Sequence, residues 1–457
     1  MKKIDSIAFS VLFVIFVAAC SNFAQTTTST VEGTVTDANG AVVAGAMVKA
    51  SGASLERSVT TDKDGFYRLV ALPAGAYTIE ISQKGFVTSS NKIELTLNRV
   101  AIFNTQLQVG GSVGQVEVTA DAPLLETSTA STGVTVTPRQ ISELPVSGRN
   151  YLDLLQLVPG VAINRQADPK GDNATPTLGE RGGNTNFFID GHPNKDTVNG
   201  GPAAQFNQET IAEFQVLTTG YKAEFGQASG AIVNVITKSG GNQFHGVGSL
   251  FLRNDSFDGV NSLKTSVTDA LPLTRYDYSI AGGGPIIKDK FFFFASSERI
   301  TENRQIDFTF PDTGNTTVNT LLRNQENPFD TPALTRETRN FIKLNQNLGN
   351  HQLSQEFNYT NSRIKNFLPL SAGNSLPSAR NNLGSRSLLV ALGDTILFGN
   401  QSNPYIVTLR AAYRGEPSNT EPAHPEIGGA TLFNPYSGPG SFLFGDLPTV
   451  NFGNIDT

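Results

Sequence analysis

The sequence predicts a mainly β chain built as a small β-sandwich, a mixed α and β segment and a run of long antiparallel strands. Three observations predict it. Between Val31 and Leu107, alternating stretches of five to eight residues are separated by turns at Asn39-Gly40, Asp64-Gly65 and Ala74-Gly75, the spacing of a compact sandwich. Between Gly179 and Gly241, β-branched and aromatic strands at 187–189 and 232–237 are bounded by Gly and Asp, and Gly226, Gly230, Gly240 and Gly241 punctuate the second half. From Gln243 onward, alternating stretches are separated by polar, Asn-rich and Pro-rich loops, the dyad pattern of membrane-barrel strands about ten residues long.

Size and charge narrow the function. A chain of 457 residues holds roughly three domains by the usual size prior. With 34 basic against 40 acidic residues and a formal charge of -6, it offers no cationic footprint for nucleic acid. Mean hydropathy is -0.17, and the one long apolar run lies at the N-terminus, so membrane insertion is expected through strands. The four histidines, His192, His245, His351 and His424, are scattered without metal-ligand spacing. No P-loop or H-E-x-x-H occurs, so the chain is not expected to be an enzyme, and neither a metal nor a cofactor is expected.

Residues 1–25 read as a secretory signal peptide: two lysines, an apolar stretch from Ile7 to Val17, then small residues. Two processing routes stay open, cleavage near Ala24 or a lipoprotein signal with Cys20 as the lipidated residue. Cys20 is the sole cysteine, so the mature chain is expected to rely on hydrogen-bonded sheet rather than a disulfide or thiolate metal site.

Residues 28–108 form the expected sandwich. Asp62 and Asp64 mimic the start of a calcium loop, but no glutamate follows at EF-hand distance, and a hairpin turn is expected instead. Phe66, Tyr67, Tyr77 and Phe86 are expected in the core rather than on a sugar-stacking platform. The order D-x-x-G, T-D-x-D-G-x-Y, L-P-x-G-x-Y-x-I-x-I and K-G-F resembles the carboxypeptidase regulatory-like domain, which implies a transthyretin-like sandwich of the carbohydrate-binding-like class.

Residues 109–125 are a linker rich in glycine and small polar residues. Within it Gln115, Val116, Glu117, Val118, Thr119 and Ala120 form an extended segment with few bulky side chains. It resembles the TonB box, through which the inner-membrane TonB protein grips a receptor by β-augmentation.

In residues 126–241, short helices are expected at 139–143 and 150–157, and a third at 208–216 leading into a strand. Arg181-Gly182-Gly183, Ile189-Asp190-Gly191 and the run that carries Glu224, Gly226, Gly230, Asn234 and Thr237 follow in order. Together they resemble the plug domain of TonB-dependent outer-membrane receptors. No nucleophile or base accompanies Arg181 or Asp190, so both are expected to pair with opposite charges and hold a plug in a polar lumen by contacts that can shift.

Residues 242–457 are expected to be the first strands of an antiparallel transmembrane β-barrel, from F-H-G-V-G-S-L-F-L-R to Y-I-V-T-L-R-A-A-Y-R. The phrase G-G-P-I-I-K-D-K-F-F-F-F resembles the periplasmic turn and following strand of Oar-like receptors. A full barrel of about 22 strands needs more chain than follows Gln243, so the sequence is expected to be the N-terminal portion of a longer receptor. The resemblance implies TonB-driven uptake of a solute across a Gram-negative outer membrane. It further implies TonB, membrane lipid and an unidentified solute as partners and periplasmic N-terminal domains. The alternative is an outer-membrane binding or adhesion protein without transport.

Overall fold

The computed structural model describes residues 28–110, 116–117, 131–162 apart from 145, 147 and 148, 182–259 apart from 197–199, 222–224 and 227, 271–305, 316–327, 330–367, 380–400, 403–423, 430–433 and 441–444. The signal segment and Cys20 lie outside them, as do Arg181, Glu224, Gln115, Val118, Thr119 and Ala120.

The sandwich is formed by β1 (Thr28–Asp37), β2 (Met47–Gly52), β3 (Glu56–Thr60), β4 (Phe66–Pro73), β5 (Gly75–Ser82), β6 (Ser89–Leu95), β7 (Val100–Ile102) and β8 (Thr105–Leu107). One sheet runs β4-β1-β7, with β8 also on β1; the other runs β3-β2-β5-β6 and ends on β9 (Val116–Glu117). Alternate residues of β1 and β5 point inward, so Val31, Val35, Ile79 and Ile81 meet Val48, Leu69, Tyr67 and Tyr77 in one core. Tyr67 and Tyr77 are buried as expected, whereas Phe66 is 38% exposed. The reason is parity: strand neighbours face opposite ways, and Tyr67 takes the inward place, its hydroxyl donating to the Phe103 carbonyl at 2.7 Å. Phe86 is partly buried against the same core. The Asp62 carboxylate accepts from the amides of Asp64 and Phe66, each at 2.9 Å, an Asx turn that uses the carboxylate within the hairpin.

The second unit is a five-stranded sheet ordered β10-β13-β14-β11-β12, from β10 (Thr132–Val136), β11 (Asn186–Ile189), β12 (His192–Pro193), β13 (Ile211–Thr219) and β14 (Ile232–Thr237). A helix at Pro138–Glu143 starts from a capping box between Thr137 and Gln140. The helix expected at 150–157 is a tighter 3-10 segment, Tyr151–Leu157, started by the Asn150 side chain. Within 208–216 the expected short helix leading into a strand is one 3-10 turn, Gln208–Thr210, and the strand, β13, begins at Ile211. Pairing on both sides, with β10 and β14, satisfies the β13 backbone in the sheet and overrides the local three-residue spacing of Ile211 and Phe214.

The third unit is an eight-stranded antiparallel sheet. It comprises β15 (His245–Asn254), β16 (Leu273–Ile287), β17 (Phe291–Arg304), β18 (Ala333–Leu348), β19 (His351–Phe367), β20 (Asn381–Asn400), β21 (Asn403–Gly415) and β22 (Ser418–Pro422), the last on β20. Connections alternate in length. β16 and β17, β18 and β19, and β20 and β21 are joined tightly at one end, while Asn254 to Leu273, Arg304 to Ala333 and Phe367 to Asn381 span longer segments at the other. Short periplasmic turns and long extracellular loops are the arrangement of outer-membrane barrels. Among the described residues the sheet stays open, and no helix is long and apolar enough to cross a membrane.

The sandwich core is a test of this packing. Leu69→Ala, at a fully buried site, is expected to lower sandwich stability by about 3 kcal/mol, read as the shift in its denaturant midpoint.

Candidate functional site

The site is the seat of the second unit on the inner face of the eight-stranded wall. Its main polar contact starts from a tight turn. Asp190 and Gly191, with φ of 48° and 80°, form the two-residue connection between β11 and β12, a conformation that Asp-Gly supplies readily. A Cβ on Gly191 would lie 2.6 Å from the Arg410 guanidinium carbon, so glycine also permits the turn to approach the wall.

The Asp190 carboxylate accepts from the Thr237 amide at 3.2 Å and from the Thr237 hydroxyl. On the wall, Lys343 of β18 places its ammonium 3.0 Å from Asp190 Oδ1, 3.4 Å from Glu356 Oε1 of β19, and donates to Thr237 Oγ1 at 2.9 Å. All four groups are nearly excluded from water. A lysine between two carboxylates balances charge that would otherwise be costly to bury. His192, beside this cluster, titrates at about 4, held down by burial and then by the Arg410 charge, so it is neutral near pH 7.

A second group of contacts lies along Arg149 and residues 205–210. Arg149 pairs with Glu209 at 2.6 Å, and its guanidinium stands 4.0 Å from the Phe251 ring centroid on the wall. The Gln205 carbonyl accepts from Asn358 at 3.1 Å, Thr210 and Ser296 share a 2.6 Å hydrogen bond, and Arg414 donates to the Lys195 carbonyl at 3.0 Å. Between them is an apolar contact: Phe206 meets Phe341 edge-on at 5.7 Å, and Phe341 in turn meets Phe294 at 6.4 Å. Wall residues Ala281, Phe294, Phe341 and Leu389 thus join the core of the seated unit. The wholly polar seat expected from sequence is corrected to a mixed one, because small and aromatic inward-facing residues fill the gap between the charged groups.

Among the sequence-predicted residues, Asp190, Gly191 and Thr237 come together at the wall. Asn234 is fully buried in β14, opposite Phe188 and Gln215. Gly182 opens a short 3-10 turn at Gly182–Asn184, the Gly226 carbonyl accepts from Asn186 at 2.8 Å, and the Gly230 amide donates to the Asn184 carbonyl at 3.1 Å. These glycines and Asn234 organise the unit internally. Val116 and Glu117 lie apart from them, paired in parallel with Ser89 and Ser90 on the β6 edge of the sandwich.

Sequence reasoning missed Arg149, Glu213, Lys343 and Glu356. Glu213 ties the seated unit to the sandwich: its carboxylate, buried in β13, accepts from the Leu97 amide at 2.6 Å. Burial pushes it up to about 7 against the pull of the Leu97 bond, with Glu94 raising it further and Arg99 lowering it. The sandwich also meets the wall directly. Asn347 donates to the Ser54 carbonyl at 2.7 Å, the Asn242 amide to Ala53 at 2.9 Å, and Val70 and Ala71 pack on Leu397.

Two measurements test the site. Lys343→Met leaves Asp190 and Glu356 buried without their cation and is expected to destabilise the seated state by about 3 to 5 kcal/mol, seen as a lower urea midpoint for release from the wall. Glu213 carries a raised value, so its protonated form favours the folded state. Its contribution falls by about 1.4 kcal/mol per pH unit from about 4.5 to about 7 and is flat above. His192, with a lowered value, gains stability as pH rises from about 4 to 6.5. The two slopes oppose, so the stability difference between the native chain and Glu213→Gln, followed across pH, isolates the Glu213 term.

Comparisons follow the same order of units. Family models match a carboxypeptidase regulatory-like domain over residues 30–108, a TonB-dependent receptor plug domain over 125–233 and an outer membrane beta barrel domain over 236–398. The chain is 30% identical over 290 residues to the TonB-dependent transporter Oar of Myxococcus xanthus, a match covering 60% of this chain and 26% of that protein. The outer membrane transporter YddB of Escherichia coli shares the fold with a TM-score of 0.50 and 12% identity, over 69% of this chain and 43% of that chain. The chain therefore spans about a quarter of the length of its curated relative, as the 26% coverage states. A plug seated on an outer-membrane barrel wall behind a regulatory-like sandwich is the arrangement these matches share: the chain carries the plug and barrel domains of TonB-dependent receptors of the Gram-negative outer membrane and is similar to the Oar transporter.

Proposed function

We propose that this chain is the energised plug portion of a receptor that takes up a solute through the outer membrane, driven by TonB. The observation that carries the reading is the Asp190–Lys343–Glu356–Thr237 contact between plug and wall. It is charged and directional, so a displacement of the Asp190-Gly191 turn breaks it at once rather than peeling it gradually. Water entering the gap then solvates the separated charges, which limits the cost of opening.

In this reading the sandwich and the segment from Gln115 to Ala120 face the periplasm, on the side of the short wall turns. TonB takes the segment by β-augmentation, using backbone donors and acceptors. The solute enters from the side of the long loops. The receptor class supports transport rather than catalysis.

Deletion of Gln115 to Ala120 tests the reading. Uptake by cells expressing the full receptor is expected to fall to the level of a strain lacking TonB, with solute binding at the surface unchanged. Unaltered uptake would exclude TonB coupling through this segment.

A further inference from the structure

The strand register sorts the wall residues by face. Lys343, Glu356 and Asn358 contact the plug and point inward, so residues of the opposite parity point to lipid. On that outer face Ile342, Phe357, Val390 and Leu392 are exposed and form an apolar band. Further along the same strands, toward the long loops, the outward positions become Arg336 in β18, Arg363 and Lys365 in β19, and Arg386 in β20.

These four cations are exposed. Arg336 and Arg363 are register partners, directly opposite each other, and Arg386 pairs with Asn361, one step along the outer face from Arg363. Like charges directly opposite on one face of a sheet repel. Among the described residues no carboxylate stands within salt-bridge distance of any of the four, although salt bridges are frequent on the inner face of the same strands. Arg363, Lys365 and Arg386 also line a cavity of about 620 Å³ with Asn361, Asn419 and Glu421. Glu421 is the acid there, and it accepts from Asn419 at 2.6 Å.

We propose that this belt is a binding site for a phosphorylated glycolipid of the outer leaflet. A phosphate seated between Arg336 and Arg363 relieves their repulsion through paired N–H donors, the geometry in which arginine recognises phosphate. The acyl chains then reach the apolar band below, which adjoins Arg386 through Leu388 in β20 and lies beyond the outward Thr338 and Asn340 in β18. The order of the two features, apolar and then cationic toward the long loops, is that of a lipid standing in the outer leaflet with its headgroup outermost. A site for free phosphate would have no use for the adjoining apolar band.

Native mass spectrometry of the receptor, extracted from outer membranes in mild detergent and stripped of lipid, tests this with hexa-acylated bis-phosphorylated lipid A as the probe. The native receptor is expected to retain it, to bind the dephosphorylated lipid at least about tenfold more weakly, and to keep the lipid in millimolar inorganic phosphate. R336A/R363A is expected to weaken retention about a hundredfold, about tenfold per arginine. R336K/R363K keeps the charge but loses the paired donors, and is expected to bind at a level between the native receptor and R336A/R363A. Equal binding of phosphorylated and dephosphorylated lipid by the native receptor overturns the proposal without any variant. Equal retention by a folded R336A/R363A overturns it as well, and displacement by inorganic phosphate reduces the belt to an unspecific anion patch.

Discussion

Each wall strand lies between two media, and its side chains alternate between them with a period of two. Along β18 this puts Lys343 inward against Asp190 and Ile342 outward at 46% exposure, one residue apart. The antiparallel register carries the same division into β19, where Glu356 points in and Phe357 out. A slip of one residue would put Lys343 into lipid and Ile342 against the plug turn. The plug seat, the apolar band and the cationic belt all depend on this single register.

The seat mixes two kinds of contact with different responses to separation. The Phe206–Phe341–Phe294 contact is short in range but non-directional, and water opposes its loss. The Asp190–Lys343 contact requires alignment, and once broken its groups are stabilised by the water that enters. Together they give a plug that stays seated against small displacements and has few apolar residues to expose when it leaves. The sandwich adds a third support through Leu97, whose amide donates to Glu213 of β13, the plug strand flanked by β10 and β14.

Turn chemistry and alternation made much of the fold legible in the sequence. Gly65 of the turn at 64–65 and both residues of the turn at 190–191 adopt the left-handed geometry that Asp and Gly tolerate, and Tyr67 and Tyr77 are buried where alternation puts them. Phe66 was misread because hydrophobicity was weighed without parity. Within 208–216 a short helix leading into a strand was legible, but the helix is only one 3-10 turn, because strands on both sides of β13 outweigh the local spacing of Ile211 and Phe214. Asp190 was legible as a pairing group from its motif, but its partner was not. Lys343 lies far along the chain in a strand whose pattern records only that alternate residues differ in polarity. Glu213 and Leu97 are 116 residues apart, and nothing local in either segment announces the contact.

The parallel pairing of Val116 and Glu117 with Ser89 and Ser90 places these two linker residues in a sheet. Backbone groups that a partner strand would take are engaged with β6, whose chain continues within two residues to Leu97 and its bond to the plug. In the function proposed above, capture of this segment by TonB is then an exchange of one strand partner for another. In that reading its rate is governed by how readily the β6 edge lets go.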